Sequence, residues 1–217
     1  MRAAPLAYRT AMMRTLMIGS VVAACLSASL SAQQAKKPSP DAYAATEIGG
    51  HYVGADPVYL GGKWIEISYG GPIKRGRDLW GSGQSYGKML DNGAPVWRAG
   101  ADVSTYLMTQ ATLVINGTRI EPGGYSLFID LAPDTWTLIV SNWQPQRFFN
   151  PNNRDQLWGA FGYTPAKDVV RAQMVKSTLP FSMDQLTWSF IDMSDKGGRL
   201  AIMWDKVMAT VPFTVAE

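Results

Sequence analysis

Ala111-Thr112-Leu113-Val114-Ile115-Asn116-Gly117-Thr118-Arg119-Ile120-Glu121-Pro122-Gly123-Gly124-Tyr125-Ser126-Leu127-Phe128-Ile129-Asp130-Leu131 is the stretch whose reading decides the fold. Short runs rich in β-branched and aromatic residues alternate in it with turn residues. Asn-Gly is the favoured pair for a type I′ turn, whose twist matches that of the flanking strands, so 111–115 and 118–121 predict a hairpin. Pro122-Gly123-Gly124 then turns the chain into a strand over 125–131, and Pro133-Asp134 turns it again into Trp136–Val140.

The same texture extends in both directions. Towards the C-terminus, Leu186–Asp192 and Arg199–Trp204 flank Asp195-Lys196-Gly197-Gly198, and Ala209–Val215 reads as a last strand. In 186–192, Leu186, Trp188 and Phe190 fall on one face and Thr187 and Ser189 on the other, the period of a half-buried strand. Towards the N-terminus, Gly61-Gly62 precedes the run Trp64–Tyr69. No segment sustains a 3.6-residue amphipathic pattern beyond one turn. Short strands punctuated every 8 to 12 residues or so predict an all-β, antiparallel sandwich or jelly-roll-like domain over 48–217. Residues 144–157 interrupt the pattern as a long polar loop, and loops of that length are often functional.

Residues 33–47 are polar, contain Pro38 and Pro40, and are read as a flexible linker. Before them, Arg2, Arg9 and Arg14 lead into the apolar run Leu16–Leu26, followed by small residues up to Ala32. That order predicts a secretory signal peptide over 1–32 and a periplasmic or extracellular location. Val22-Ala23-Ala24-Cys25 also resembles a lipobox. Lipidation at Cys25 is therefore the alternative to cleavage after Ala32, and the one route by which this reading brings the protein to a membrane.

The whole chain has 20 basic and 17 acidic residues. Three of the arginines fall in the leader, which leaves 17 of each sign and no net charge on the folded part. A nucleic-acid footprint needs a clustered positive excess, so no nucleic-acid partner is expected. Cys25 is the only cysteine and His51 the only histidine. Thiolate metal sites, cysteine nucleophiles and multi-histidine zinc sites are thereby excluded from the mature domain, and no cofactor is expected. A Ser-His-Asp triad would have to use His51, which no flanking signature supports.

The motifs resemble those of a bacterial family of unknown function, DUF2911. The resemblance covers roughly 60–216 and rests on Ile67-Ser68-Tyr69, Lys74-Arg75-Gly76-Arg77-Asp78-Leu79-Trp80-Gly81, Tyr86-Gly87-Lys88 and Val96-Trp97-Arg98-Ala99-Gly100-Ala101. It continues through Pro122–Phe128, Trp136–Ile139, Trp158-Gly159-Ala160-Phe161 and Lys167-Asp168-Val169. This chain departs from the family pattern at Gly70-Gly71-Pro72 and at Asp102-Val103, where the family tends to read Ser-Arg-Pro and Asn-Glu. The resemblance implies export and a β-rich fold, and no established activity.

Two segments carry the candidate binding residues. In Val96–Asp102, Arg98 follows Trp97 and can offer its planar fork, stacked on the indole, to a carboxylate, a sulfate or a pair of sugar hydroxyls. The structural alternative has Arg98 paired with Asp102, pinning a loop. In Lys74-Arg75-Gly76-Arg77, Arg75 and Arg77 can meet an anionic glycan or a lipid head group, or simply be solvated. Of the eight tryptophans, Trp136, Trp188 and Trp204 lie in alternating strands and are expected in the core, whereas Trp80, Trp143 and Trp158 adjoin loops and are candidates for exposure. The expected function is a non-catalytic envelope module binding a glycan or small anion through Arg98, Trp97, Asp102, Arg77, Arg75, Trp80 and Trp158. A carboxylate-based polysaccharide hydrolase and a protein-interaction domain anchored by Phe148-Phe149 are the alternatives.

Overall fold

At Asn116-Gly117 both residues are left-handed, with φ of 49° and 75°, which is the type I′ geometry their side chains predict. The turn joins strands β6 (Leu113–Ile115) and β7 (Thr118–Ile120). The structure, a computed structural model, describes residues 36–216, and Pro38–Glu217 forms one compact unit. The leader and Cys25 lie outside the described residues.

The other strands are β1 (Asp41–Ile48), β2 (His51–Val53), β3 (Val58–Leu60), β4 (Lys63–Gly70), β5 (Ala101–Thr109), β8 (Gly123–Leu131) and β9 (Trp136–Ser141), followed by β10 (Gln144–Pro145), β11 (Gln156–Leu157), β12 (Asp168–Ser194) and β13 (Gly197–Val215). Nine of them form one antiparallel sheet in the order β1-β4-β5-β8-β9-β12-β13-β6-β7. The sheet folds over itself as a sandwich, not a closed barrel, because β12 changes layer along its length. Its first part pairs with β9 up to Met174. The register against β13 shifts between Thr178 and Met183, where Pro180 has no N–H to give the ladder. Opposite this point Asp205 takes a left-handed φ of 52°. The second part of β12 crosses back, and Leu186 N–H donates to Pro72 O at 3.0 Å.

Alternation places the core. Leu127 and Ile129 of β8 pair with Val140 and Leu138 of β9, and all four are fully buried in the main interior with Ile65, Ile67, Leu107, Leu200 and Ile202. Phe128 and Ile139 point the other way and pack with Val96, Trp143, Leu157, Ala160 and Tyr163 in a second cluster. Strands β8 and β9 are thus covered on both faces, and the chain from 142 to 165 supplies the outer cover.

Two expectations are corrected. The linker does not run to residue 47: Asp41–Ile48 is an edge strand in eight-residue register with β4. Its inward residues include Ala42 and Ala44, which pack on the core but carry too weak a strand preference to announce it. The separate strands read at 186–192, 199–204 and 209–215 belong to one hairpin of 27 and 19 residues, whose register shifts at Pro180.

Candidate functional site

Strand β5 does not run straight into its predecessor. Trp97 exchanges both backbone bonds with Ile129 of β8, at 2.9 and 2.8 Å, and Thr105 resumes the pairing opposite Leu127. Between them the chain bulges outward, and Thr105 N–H donates back to Arg98 O at 3.4 Å. Ala99 and Asp102 hold left-handed φ of 55° and 62° in this bulge. Each such residue costs roughly 1–2 kcal/mol in an L-amino acid, and strain of this kind clusters at functional sites. Gly100 is required here, since a Cβ would come within 2.8 Å of Thr105 Oγ1. The turn is held from inside: Thr105 Oγ1 and Trp188 Nε1 both donate to Ala99 O, at 3.0 and 2.9 Å.

The bulge brings Arg98 beside the basic segment 74–77. Arg75, Arg77 and Arg98 line one cleft of about 300 Å³ together with Trp97, Asp102 and Trp204. Each guanidinium is oriented by carbonyls. Arg75 Nη2 donates to Pro38 O at 2.9 Å, Arg77 Nε and Nη2 donate to Lys74 O and Ile73 O at 3.0 and 2.7 Å, and Arg98 Nη1 donates to Asp102 O at 2.8 Å. Among the described residues the ion pairs are Lys74–Asp205, Arg119–Glu121, Arg199–Asp192 and Arg171 with Asp130 and Asp168. None of them uses these three arginines. Carbonyls fix direction without cancelling charge, so the cleft presents three cations and one carboxylate, Asp102. Burial lowers the Arg98 pKa and the Asp102 charge opposes that fall, but a guanidinium remains charged throughout the physiological range.

Arg98 does not stack on Trp97. Its guanidinium carbon lies 5.4 Å from the centre of the Phe161 ring, and a Cβ on Gly159 would touch it at 2.7 Å. Its bond to Asp102 goes to the backbone carbonyl and not to the carboxylate. Arg77 instead sits over Trp204 at 5.9 Å. Trp97 is 1% exposed and stacks on Trp204 with ring centres 6.3 Å apart. Trp80 is half-buried against Trp97, Trp136 and Trp204, its nearest centre, that of Trp136, at 4.9 Å. These indoles form a floor and not an exposed platform. Trp143 is buried too, donating Nε1 to Thr164 O at 3.0 Å beneath the Lys167 ammonium.

Trp158 lines a different cleft, with Phe149, Arg154 and Phe161. Five of its lining residues, from Gln146 to Gln156, also line a third and larger cleft of about 760 Å³. This one lies between Ser68, Val103, Ser104 and Tyr106 of β4 and β5 and the segment Gln144–Gln156. Its presence is not legible in the sequence beyond the unusual length of that segment. Phe148 and Phe149 on the segment are 86% and 63% exposed.

The three linings together contain one carboxylate, Asp102, so none of these clefts offers the paired acids of a glycosidase. Asp130 and Asp168 do converge elsewhere, but both accept from Arg171 at 2.7 and 3.1 Å. Among the described residues no group of three or more His, Cys, Asp or Glu is placed to hold a metal. His51 lies exposed on the small β2–β3 hairpin. No helix of the described residues is long and apolar enough to cross a membrane.

A filled antiparallel sandwich whose clefts are built by loops and bulges on its outside defines the class of this protein. The chain belongs to the DUF2911 family, described as a protein of unknown function, whose sequence profile matches residues 56–213. No curated protein and no solved structure matches it.

Proposed function

We propose that this protein is a non-catalytic, exported binding domain that takes a small oxyanion, namely the carboxylate, sulfate or phosphate of an acidic glycan or of a free small molecule, in the Arg75–Arg77–Arg98 cleft. The observation that carries the proposal is that three carbonyl-oriented arginines line one cavity and, among the described residues, none of them is held in a salt bridge. Guanidinium forks match planar oxyanions in geometry and give charge-assisted bonds about twice as strong as neutral ones. The rigid indole floor of Trp97 and Trp204 keeps the cleft from collapsing when empty. Export is supported by the basic and apolar order of residues 1–32.

The test is titration of the full chain with inorganic phosphate, sulfate, galacturonate and neutral galactose, followed by calorimetry and thermal melting. A ligand at a hundredfold its Kd stabilises the native state by about 2.7 kcal/mol, so binding registers as a rise in Tm. The expected result is binding of at least one anion, none of galactose at this cleft, and loss of anion binding in the double variant Arg75→Gln/Arg77→Gln with the fold retained, since both residues are exposed. Galacturonate alone points to a glycan, and phosphate or sulfate to a free anion. A chain indifferent to all three anions, or a double variant that binds them unchanged, overturns the proposal.

A further inference from the structure

We infer that the larger cleft, beneath residues 144–157, is a second binding site, and that its ligand is a neutral oligosaccharide. It rests on observations separate from the arginine cleft. The segment is long and polar, yet it is held from inside. Gln146, 4% exposed, donates Nε2 to Asn153 O and Gln156 O at 3.3 and 2.9 Å and accepts from Asn150 N–H at 2.8 Å. Asn153 Oδ1 accepts the N–H groups of Asp155 and Gln156 at 3.0 and 3.2 Å. Gln144 ties the base of the segment to Tyr106 Oη at 3.1 Å and to Gly124 O at 3.3 Å. β10 and β11 pair at its ends. The loop is therefore shaped before any ligand arrives, which lowers the ordering cost of binding.

On this fixed frame the chain displays two phenylalanines in adjacent positions to solvent. Phe149 lies edge-on to Trp158, with ring centres 6.2 Å apart. The cleft beside them is floored by Ser68 and Tyr106, with the buried Ser104 hydroxyl beneath them spent on Gly159 O, and walled by Asn150 and Gln156, with Arg147 as its one charged residue. The volume, about 760 Å³, falls within the roughly 300–1,000 Å³ of small-molecule sites. A sugar ring has apolar C–H faces and a rim of hydroxyls. It needs a flat aromatic surface together with neutral donors and acceptors, and this lining supplies both. A polyanion would find a single cation in this lining.

The experiment is calorimetric titration of the full chain with neutral oligomers of glucose, mannose, galactose and N-acetylglucosamine, repeated on Phe148→Ala and Phe149→Ala. Both side chains are exposed, so neither substitution opens a core cavity. At least one oligomer is expected to bind, and Phe149→Ala to weaken it tenfold or more, which corresponds to about 1.4 kcal/mol. Anion binding by the phenylalanine variants stays at the level of the native chain, so failure here is distinguishable from failure at the arginine cleft. Absence of binding to all four oligomer classes overturns the inference. So does concentration-dependent self-association that Phe148→Ala abolishes in the absence of sugar binding, which would make the rim a protein interface.

Discussion

The indole N–H of Trp188, in the second part of β12, donates to the carbonyl of Ala99 at 2.9 Å. One layer of the sandwich thereby holds the left-handed turn that carries Arg98 out of the other. Trp188 is 2% exposed and its own N–H is engaged by Tyr69 Oη at 3.1 Å.

Replacing that indole tests the link. Trp188→Phe removes the donor and some packing volume, while Thr105 Oγ1 still serves Ala99 O. A loss of about 1–3 kcal/mol in urea unfolding is expected. Affinity for the oxyanion should fall as well, although the residue touches no ligand.

Gly159 is confined by the same arginine. An added methyl would meet the guanidinium carbon at 2.7 Å, and its φ of 61° disfavours any side chain. Gly159→Ala is expected to cost roughly 1–2 kcal/mol and to displace Arg98 from Phe161. In a double-mutant cycle with Phe161→Ala, measured by chemical denaturation, the two effects should be non-additive.

The clamp of the 144–157 segment makes a third case. Gln146→Ala leaves the N–H of Asn150 and the carbonyls of Asn153 and Gln156 without their side-chain partner. The global stability should drop by about 1–3 kcal/mol. Hydrogen exchange at Asn150 and proteolysis near Arg147 and Arg154 should accelerate well before global unfolding.

Asp91 gives a pH signature. Burial raises its carboxyl pKa, assisted by the charge of Asp130 and opposed by Lys88, and its Oδ1 is buried without a partner. The folded state then holds its proton more tightly than the unfolded chain, so this group subtracts stability as pH rises through its raised pKa. Asp91→Asn should stabilise the protein at pH 7, and the gain should vanish once pH falls below the ordinary aspartate value near ~3.9. Melting curves across pH 3–7 check the sign.

Asp205 is the opposite case. Hydrogen bonds from Lys74 first, at 2.6 Å, and Ser182 second, at 2.7 Å, hold its pKa below the usual carboxylate range. Its contribution is present above the unfolded value and disappears as pH falls through the folded one. Asp205→Asn should therefore destabilise at pH 7, with the difference from the native chain closing in acid.

Much of the sheet was legible because turn chemistry and alternation agree in it. Asn116-Gly117 and Pro122-Gly123-Gly124 placed β6 to β8, and the alternation of Leu186, Trp188 and Phe190 placed the second part of β12. β1 was read as linker because alanine carries its inward face; the continuity of β12 was masked by Pro180, and that of β13 by the charged pair Asp205-Lys206. The two arginine segments were individually visible. They were also expected to serve one ligand together, but the geometry that joins them was not legible, because it depends on the Ala99 and Asp102 turn and on Trp188, which lies 89 residues beyond Ala99. Arg98 turning to Phe161 instead of Trp97 follows from the same turn. Gln146 was hidden for a simpler reason: a glutamine in a polar loop looks solvated until its three backbone partners are known.

Strand β12 belongs to both layers of the sandwich, and that membership governs how the chain can come apart. Cutting the polypeptide at the Asp195-Lys196 turn would leave an N-terminal piece whose β12 lacks β13 along its length, and a C-terminal piece of one strand. The N-terminal piece keeps the outer cluster around Phe128 and Ile139 but loses Leu200, Ile202, Trp204 and Phe213 from the main interior, which therefore closes only through pairings distant in sequence, an intrinsically slow step. In a nascent chain β12 can pair with β9 as far as Met174, but from Val175 onward its pairing waits for Gly197–Val215.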